Sequence, residues 1–171
     1  VTETILTEIT LQALREAFQD AGFRVEELND PVANLPYLRS ATGGMPFDVR
    51  PGNRSAIGTD RYVDVGLITV FQVQGELPLE IVNRWNATRR FGRVQISPPF
   101  LALHLDISVA GGVTHRFLRT QLELWDHLIQ QLISYLRDEL QKLPAAGSAV
   151  SADQNATPEM IRSSFELPAD A

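Results

Sequence analysis

The stretch PLEIVNRWNATRRFGRVQISPPFLALHLDISVAGGV, from Pro78 to Val113, decides the fold of this chain. Its first part reads as an amphipathic helix. Pro78 suits an opening turn, because its missing N–H is one a helix start leaves unpaired anyway. Leu79, Ile81, Val82, Trp85 and Phe91 can then face a sheet, and Gly92 closes the segment. Val94 and Ile96 alternate, Ser97-Pro98-Pro99 turns, and Leu101, Leu103, Leu105, Ile107 and Val109 alternate again. Period-two patterning of that length predicts a strand with one covered face, with His104, Asp106 and Ser108 on the other. Helix, hairpin and Gly111-Gly112 turn in that order fix the middle of an α+β domain.

Working outward, residues 4–21 carry the apolar stripe of an opening helix, and Gly22 is placed to end it. The run FRVEEL alternates and predicts a first strand. Residues 29–60 are broken by Pro31, Pro36, Pro46 and Pro51. Two short strands are expected there, Tyr37–Ala41 and Phe47–Val49, joined at Gly43-Gly44. From Tyr62 to Val73, β-branched and aromatic residues predict one long strand or two around Gly66. Beyond Gly112 a long helix is expected over Thr114–Leu143, with Leu118, Leu122, Trp125, Ile129, Leu132 and Leu136 in its apolar stripe. At 1.5 Å per residue it spans roughly 45 Å, more than a small domain's diameter. Those six residues are therefore the candidate surface for a homodimer, the alternative being that the first helix covers them. Pro144 onward reads as linker and tail, so the expected division is a domain at 1–143 and a flexible or partly disordered tail at 144–171.

Composition narrows the function classes. The chain has 171 residues, 44% of them hydrophobic, which suits one domain with a real core. With no cysteine, thiol chemistry, disulfides and thiolate metal sites are excluded, and a reducing, cytoplasmic setting is expected. No stretch has the length and apolarity to cross a bilayer as a helix, so no membrane insertion is expected. A formal charge of -6 argues against a nucleic-acid partner, which calls for a concentrated basic surface.

The central run resembles the YbjN-like family, the putative bacterial sensory transduction regulators, whose fold is similar to type III secretion chaperones. Asn83, Trp85 and Asn86 give the Asn-x-Trp-Asn motif, flanked by Ile81 and followed by Arg90-Phe91. Leu103, Leu105 and Asp106 resemble the family's apolar-acidic strand, and Gly111-Gly112-Val113 its glycine turn. The Ser97-Pro98-Pro99 turn departs from the pattern. The likeness covers about 4–141. It implies an antiparallel sheet packed against two or three helices, in the order α-β(3-5)-α-β-β-α. It also implies a protein-binding role, chaperone-like or regulatory, with no catalytic residue to carry across.

Each candidate site has a plainer reading beside it. Asn83, Trp85 and Asn86 could present a polar patch with an aromatic anchor to a partner peptide. Equally, the amides could bond the neighbouring hairpin while Trp85 fills the core. Arg89, Arg90 and Arg93, with Arg84, could bind a carboxylate or phosphate partner, or form a solvated face near a helix C-terminus. His104 and Asp106 share a strand face, but a metal needs a third ligand and His115 is the nearest candidate. No nucleophile accompanies the pair, so no enzyme activity is expected. The Gly-Gly pairs lack a phosphate loop's Lys-Ser/Thr ending, and Thr114 supplies a cap oxygen after the second. No cofactor and no metal is expected. The expected function is protein binding; the alternative is an assembly role in which a homodimer interface accounts for all the apolar surface.

Overall fold

In a computed structural model, the structure describes residues 4–143 and the pair 161–162. The expected tail at 144–171 lies outside the described residues, that pair excepted. The elements are β1 (Ile5–Leu6), β2 (Ile9–Thr10), α1 (Leu11–Asp20), β3 (Glu26–Asn29), β4 (Pro36–Thr42), β5 (Met45–Pro51) and β6 (Arg61–Tyr62). They continue as β7 (Asp64–Val73), α2 (Leu79–Thr88), β8 (Arg93–Ser97), β9 (Phe100–Ser108), β10 (Val113–Thr114), α3 (His115–Gln141) and β11 (Ile161–Arg162). This is an α+β fold of three helices on an antiparallel sheet, and the six main strands run β3-β4-β5-β7-β9-β8. β11 pairs with β7.

The sheet centre is the β7–β9 ladder, in register from Asp64↔Ser108 to Gln72↔Phe100. Leu101, Leu103, Leu105 and Ile107 alternate onto the same side as Val65, Leu67 and Phe71, and all seven are buried. α3 crosses that side. Trp125 packs edge-on against Phe47 of β5 with centroids 5.8 Å apart, and Thr42 bonds to Asp126. α1 joins through Phe18, 6.0 Å from Phe47.

Two expectations are corrected here. The opening helix begins at Leu11 instead of residue 4, because Thr10 is extended and its hydroxyl accepts the Ala13 N–H. Before it, Ile5–Leu6 pair with Val113–Thr114, and Ile9–Thr10 with Arg61–Tyr62. The dimer stripe is corrected too. Leu118, Leu122, Trp125, Ile129, Leu132 and Leu136 are all buried in the chain's own core, at most 5% exposed. Neither a second copy nor the first helix alone accounts for the stripe: the sheet covers it, because α3 lies along the ladder.

Candidate functional site

The Asn-x-Trp-Asn segment lies on the second half of α2, where the chain must leave the helix and enter β8. Ile81, Val82 and Trp85 point inward and are buried. Trp85 is fully enclosed; its Nε1–H donates to the Gly92 carbonyl at 3.0 Å, and its ring sits 5.4 Å from that of Tyr135 on α3. Tyr135 in turn donates its hydroxyl to the Ile81 carbonyl at 2.6 Å. Burial, with the Glu139 carboxylate second, raises the pKa of that phenol, so the donor proton is held.

Asn86 makes the other brace. Its Nδ2 donates to the Val94 carbonyl and its Oδ1 accepts the Val94 N–H, both at 2.9 Å. One side chain thus pairs with a strand residue as another strand would. Gly92 lies close against the core: a Cβ built there would meet Leu103 Cδ1 at 3.0 Å and Leu128 Cδ2 at 3.2 Å. To bring Gly92 that close, the chain turns at Phe91, which takes a left-handed φ of 70°. Phe91 is therefore turned out and 69% exposed, not sheet-facing as expected. The helix ends at Thr88, and a left-handed residue three positions later cannot continue its inward stripe.

The arginines divide into two sets. Arg84 pairs with Glu139 of α3 at 2.6 Å, and Lys142 reaches the same carboxylate at 2.8 Å. The Lys142 hydrogen bond is the leading cause that holds the Glu139 carboxyl below its usual range, with Arg84 adding to it. Arg93 pairs with Asp106 of β9 at 2.7 Å. Arg89 lies over the Trp85 ring, 5.7 Å from its centroid. Arg90 makes no ion pair among the described residues. Asn83 and Asn86, Arg89, Arg90 and Arg93 are all on the exposed side of this corner, while Trp85 is beneath it.

His104 stands opposite Arg93 in the strand register. Burial first, then the Arg93 charge, lowers its pKa, against the opposing pull of Asp106. Asp106 is engaged by Arg93, so the His-Asp pair is part of a cross-strand charge contact. His115 lines a cleft of about 620 Å³ between α1 and α3, with Asp20, Arg116 and Arg119. Among the described residues, no group of three or more His, Asp or Glu side chains is placed to hold a metal ion. No described helix is long and apolar enough to cross a membrane.

Sequence reading missed a second charged cluster, on the sheet face shared by His104. Asp48, 5% exposed, bonds Arg39 at 2.9 Å and Arg50 at 3.2 Å. Arg50 also holds Asp30 at 2.7 Å and lies 4.4 Å from the centroid of the Tyr37 ring. Its charges come from two strands, β4 and β5, and the loop that precedes β4, so no spacing within the chain marks it.

A family model described as YbjN, putative bacterial sensory transduction regulator, matches residues 10–138. No curated protein and no solved structure matches the chain.

Proposed function

The chain belongs to the YbjN family, and we propose that it is a non-enzymatic protein-binding module, chaperone-like or regulatory, whose contact surface is the corner between α2 and β8. One observation carries this reading. A fixed turn presents an exposed Phe91, in a backbone conformation unfavourable for a bulky residue, between Arg90 and the glycine that anchors it. Strain of this kind persists where the surroundings enforce it, and it is concentrated at binding sites. Here the Trp85–Gly92 and Asn86–Val94 hydrogen bonds supply the enforcement.

The chemistry indicates the partner. An aromatic face beside Arg89 and Arg90 suits a segment that offers an apolar side chain next to a carboxylate, the arginines giving steering and orientation. Asn83 and Arg93 would border such a contact, and Trp85 and Asn86 would hold its shape.

The test is affinity capture from bacterial lysate with the wild type, Phe91→Ala and Arg90→Glu, with thermal melts of each. The expected result is one partner retained by the wild type and lost with both variants while their melting stays unchanged. Retention of the same partner by both variants overturns the reading. Light scattering distinguishes the alternative: a corner used only for assembly gives a homodimer that Arg90→Glu dissociates, with no other partner.

A further inference from the structure

β7 is longer on one side than its neighbour can cover. On the β9 side its ladder runs the whole strand. On the β5 side pairing is registered from Pro51↔Val65 only to Asp48↔Ile68. Pro46 accounts for the stop. The β4–β5 hairpin closes on Thr42↔Met45 around Gly43-Gly44. Alternation from that narrow pair turns the backbone groups of Pro46, Asp48 and Arg50 toward β7. Proline has no N–H to give, so the ladder cannot continue opposite Val70. Thr69 instead bonds its hydroxyl to the Pro46 carbonyl at 2.9 Å. The same alternation leaves the N–H and C=O groups of Val70 and Gln72 facing outward on this edge.

An unpaired edge in mid-sheet is a template for another strand. The structure seats one there: Ile161 lies opposite Val73 and Arg162 opposite Gln72, antiparallel. Val73 also lines an apolar groove of about 380 Å³ with Leu77, Leu79, Ile96 and Phe100. Leu79 is 71% exposed beside it. α3 ends near this region, since its Tyr135 is bonded to Ile81 of α2, and α2 follows β7 directly. A chain the length of residues 144–160 can span up to roughly 55 Å, ample for the crossing.

We propose that the Val70–Val73 edge of β7 is a strand-accepting site, and that its occupant is this chain's own C-terminal segment at Ile161–Arg162, docked within the same molecule. The inference goes beyond the corner at α2–β8 and does not depend on it. The tail closes the edge that Pro46 leaves open. Tethering places the segment at an effective concentration of order millimolar, so even a short strand competes well against a second copy.

Because the chain has no cysteine, an engineered pair reports on the contact directly. Ile161↔Val73 falls on the wide-pair positions of the ladder, where Cα atoms are about 4.5 Å apart, within disulfide reach. The full-length double variant Val73→Cys/Ile161→Cys is oxidised in a glutathione buffer beside the control Glu123→Cys/Ile161→Cys, whose first site is on the outer side of α3. The expected result is an intramolecular disulfide in a monomer, at an effective molarity about tenfold or more above the control. A disulfide-linked dimer overturns the proposal in favour of a second copy, and equal values for the two variants overturn it outright. Amide hydrogen exchange gives a second reading without cysteines. The Gln72 amide, opposite Arg162, should be protected in the native chain and exchange about tenfold faster in Arg162→Pro. No protection in the native chain overturns the proposal, and so does protection that survives the proline.

Discussion

Asn86→Ala tests whether the Asn-x-Trp-Asn motif is scaffold at its last residue. The substitution removes two hydrogen bonds at 2.9 Å, one given to and one taken from Val94. Each is worth about 1 kcal/mol net, give or take half. The expected loss is therefore about 2 kcal/mol, within a range of about 1–3 because the amide is at the surface and water can replace part of it. For a domain of this size that corresponds to roughly 6–8 °C in melting temperature. Urea denaturation followed by far-UV circular dichroism measures it, and an unchanged m-value shows that stability alone has moved. Asn83→Ala is the matched control: same residue type, same helix, exposed, and expected within about 0.5 kcal/mol of wild type.

Asn86→Asp sharpens the argument, because shape is kept and only a donor is lost. One carboxylate oxygen can still accept the Val94 N–H, while the other faces the Val94 carbonyl and repels it. Protonation restores the donor, so the folded state binds the proton more tightly than the unfolded chain. Linkage then fixes the sign: the variant's deficit is small below the ordinary aspartate pKa of about 3.9 and grows as pH rises above it. An Asn86→Ala protein as stable as Asn83→Ala, or an Asn86→Asp deficit independent of pH, would refute the brace.

Other consequences follow from the same geometry. Gly111 and Gly112 both have left-handed φ, at 86° and 96°, but only a Cβ at Gly112 meets an obstacle, Ile5 Cγ2 at 2.6 Å. Each alanine substitution should cost about 1–2 kcal/mol for the backbone, and Gly112→Ala measurably more, in paired urea melts. Asp30, held to a pKa of about 2 chiefly by the Ala33 N–H and then by Arg50, contributes stability that is complete above its ordinary value of 3.8 and lost as pH falls toward 2. Asp30→Asn should flatten the acid limb of a stability profile over that window. His104 is held neutral by burial, so folding is favoured above the ordinary histidine pKa of about 6.5 and weakened below it. Its imidazole should titrate below that value by NMR, and the acid-side loss should vanish in His104→Gln.

Where a pattern is local, the sequence carried it into the structure. The alternation from Leu101 to Val109 became a strand buried on one side, and the stripe over Thr114–Leu143 became α3. What covers a stripe is not local. Leu118 to Leu136 are equally apolar whether a sheet, a helix or a second chain lies over them, and only the β7–β9 ladder beneath α3 decides. The opening helix was overextended for a related reason: Ile5, Leu6 and Ile9 fit a helical stripe but are drawn into pairs with residues far along the chain. At the corner, Phe91 had a signal that could have been used. An aromatic directly before a glycine, after a helix has ended, need not keep the helix's face. The Asp48 cluster had none, since its partners converge only once β4 and β5 pair.

The arginines of the corner are separable by what already neutralises them, and this bears on which could serve a partner. Arg84 is matched by Glu139, itself buried, so its loss would leave a carboxylate shared only with Lys142. That makes Arg84 a structural residue despite its exposure. Arg93 and Asp106 are both more than half exposed, and such pairs contribute little to stability. Arg93 could exchange Asp106 for another carboxylate at small cost, but it would gain little by doing so. Arg89 rests on the Trp85 ring and keeps its charge outward. Among the described residues Arg90 has no carboxylate to relinquish, so a partner's acid gains the whole interaction there. Charge reversal should therefore rank Arg90 first, Arg89 second and Arg93 third in lost affinity, with the differences narrowing as salt is raised. A ranking led by Arg93 would place the contact on the β8–β9 face, beside His104, instead of on the turn that Phe91 occupies.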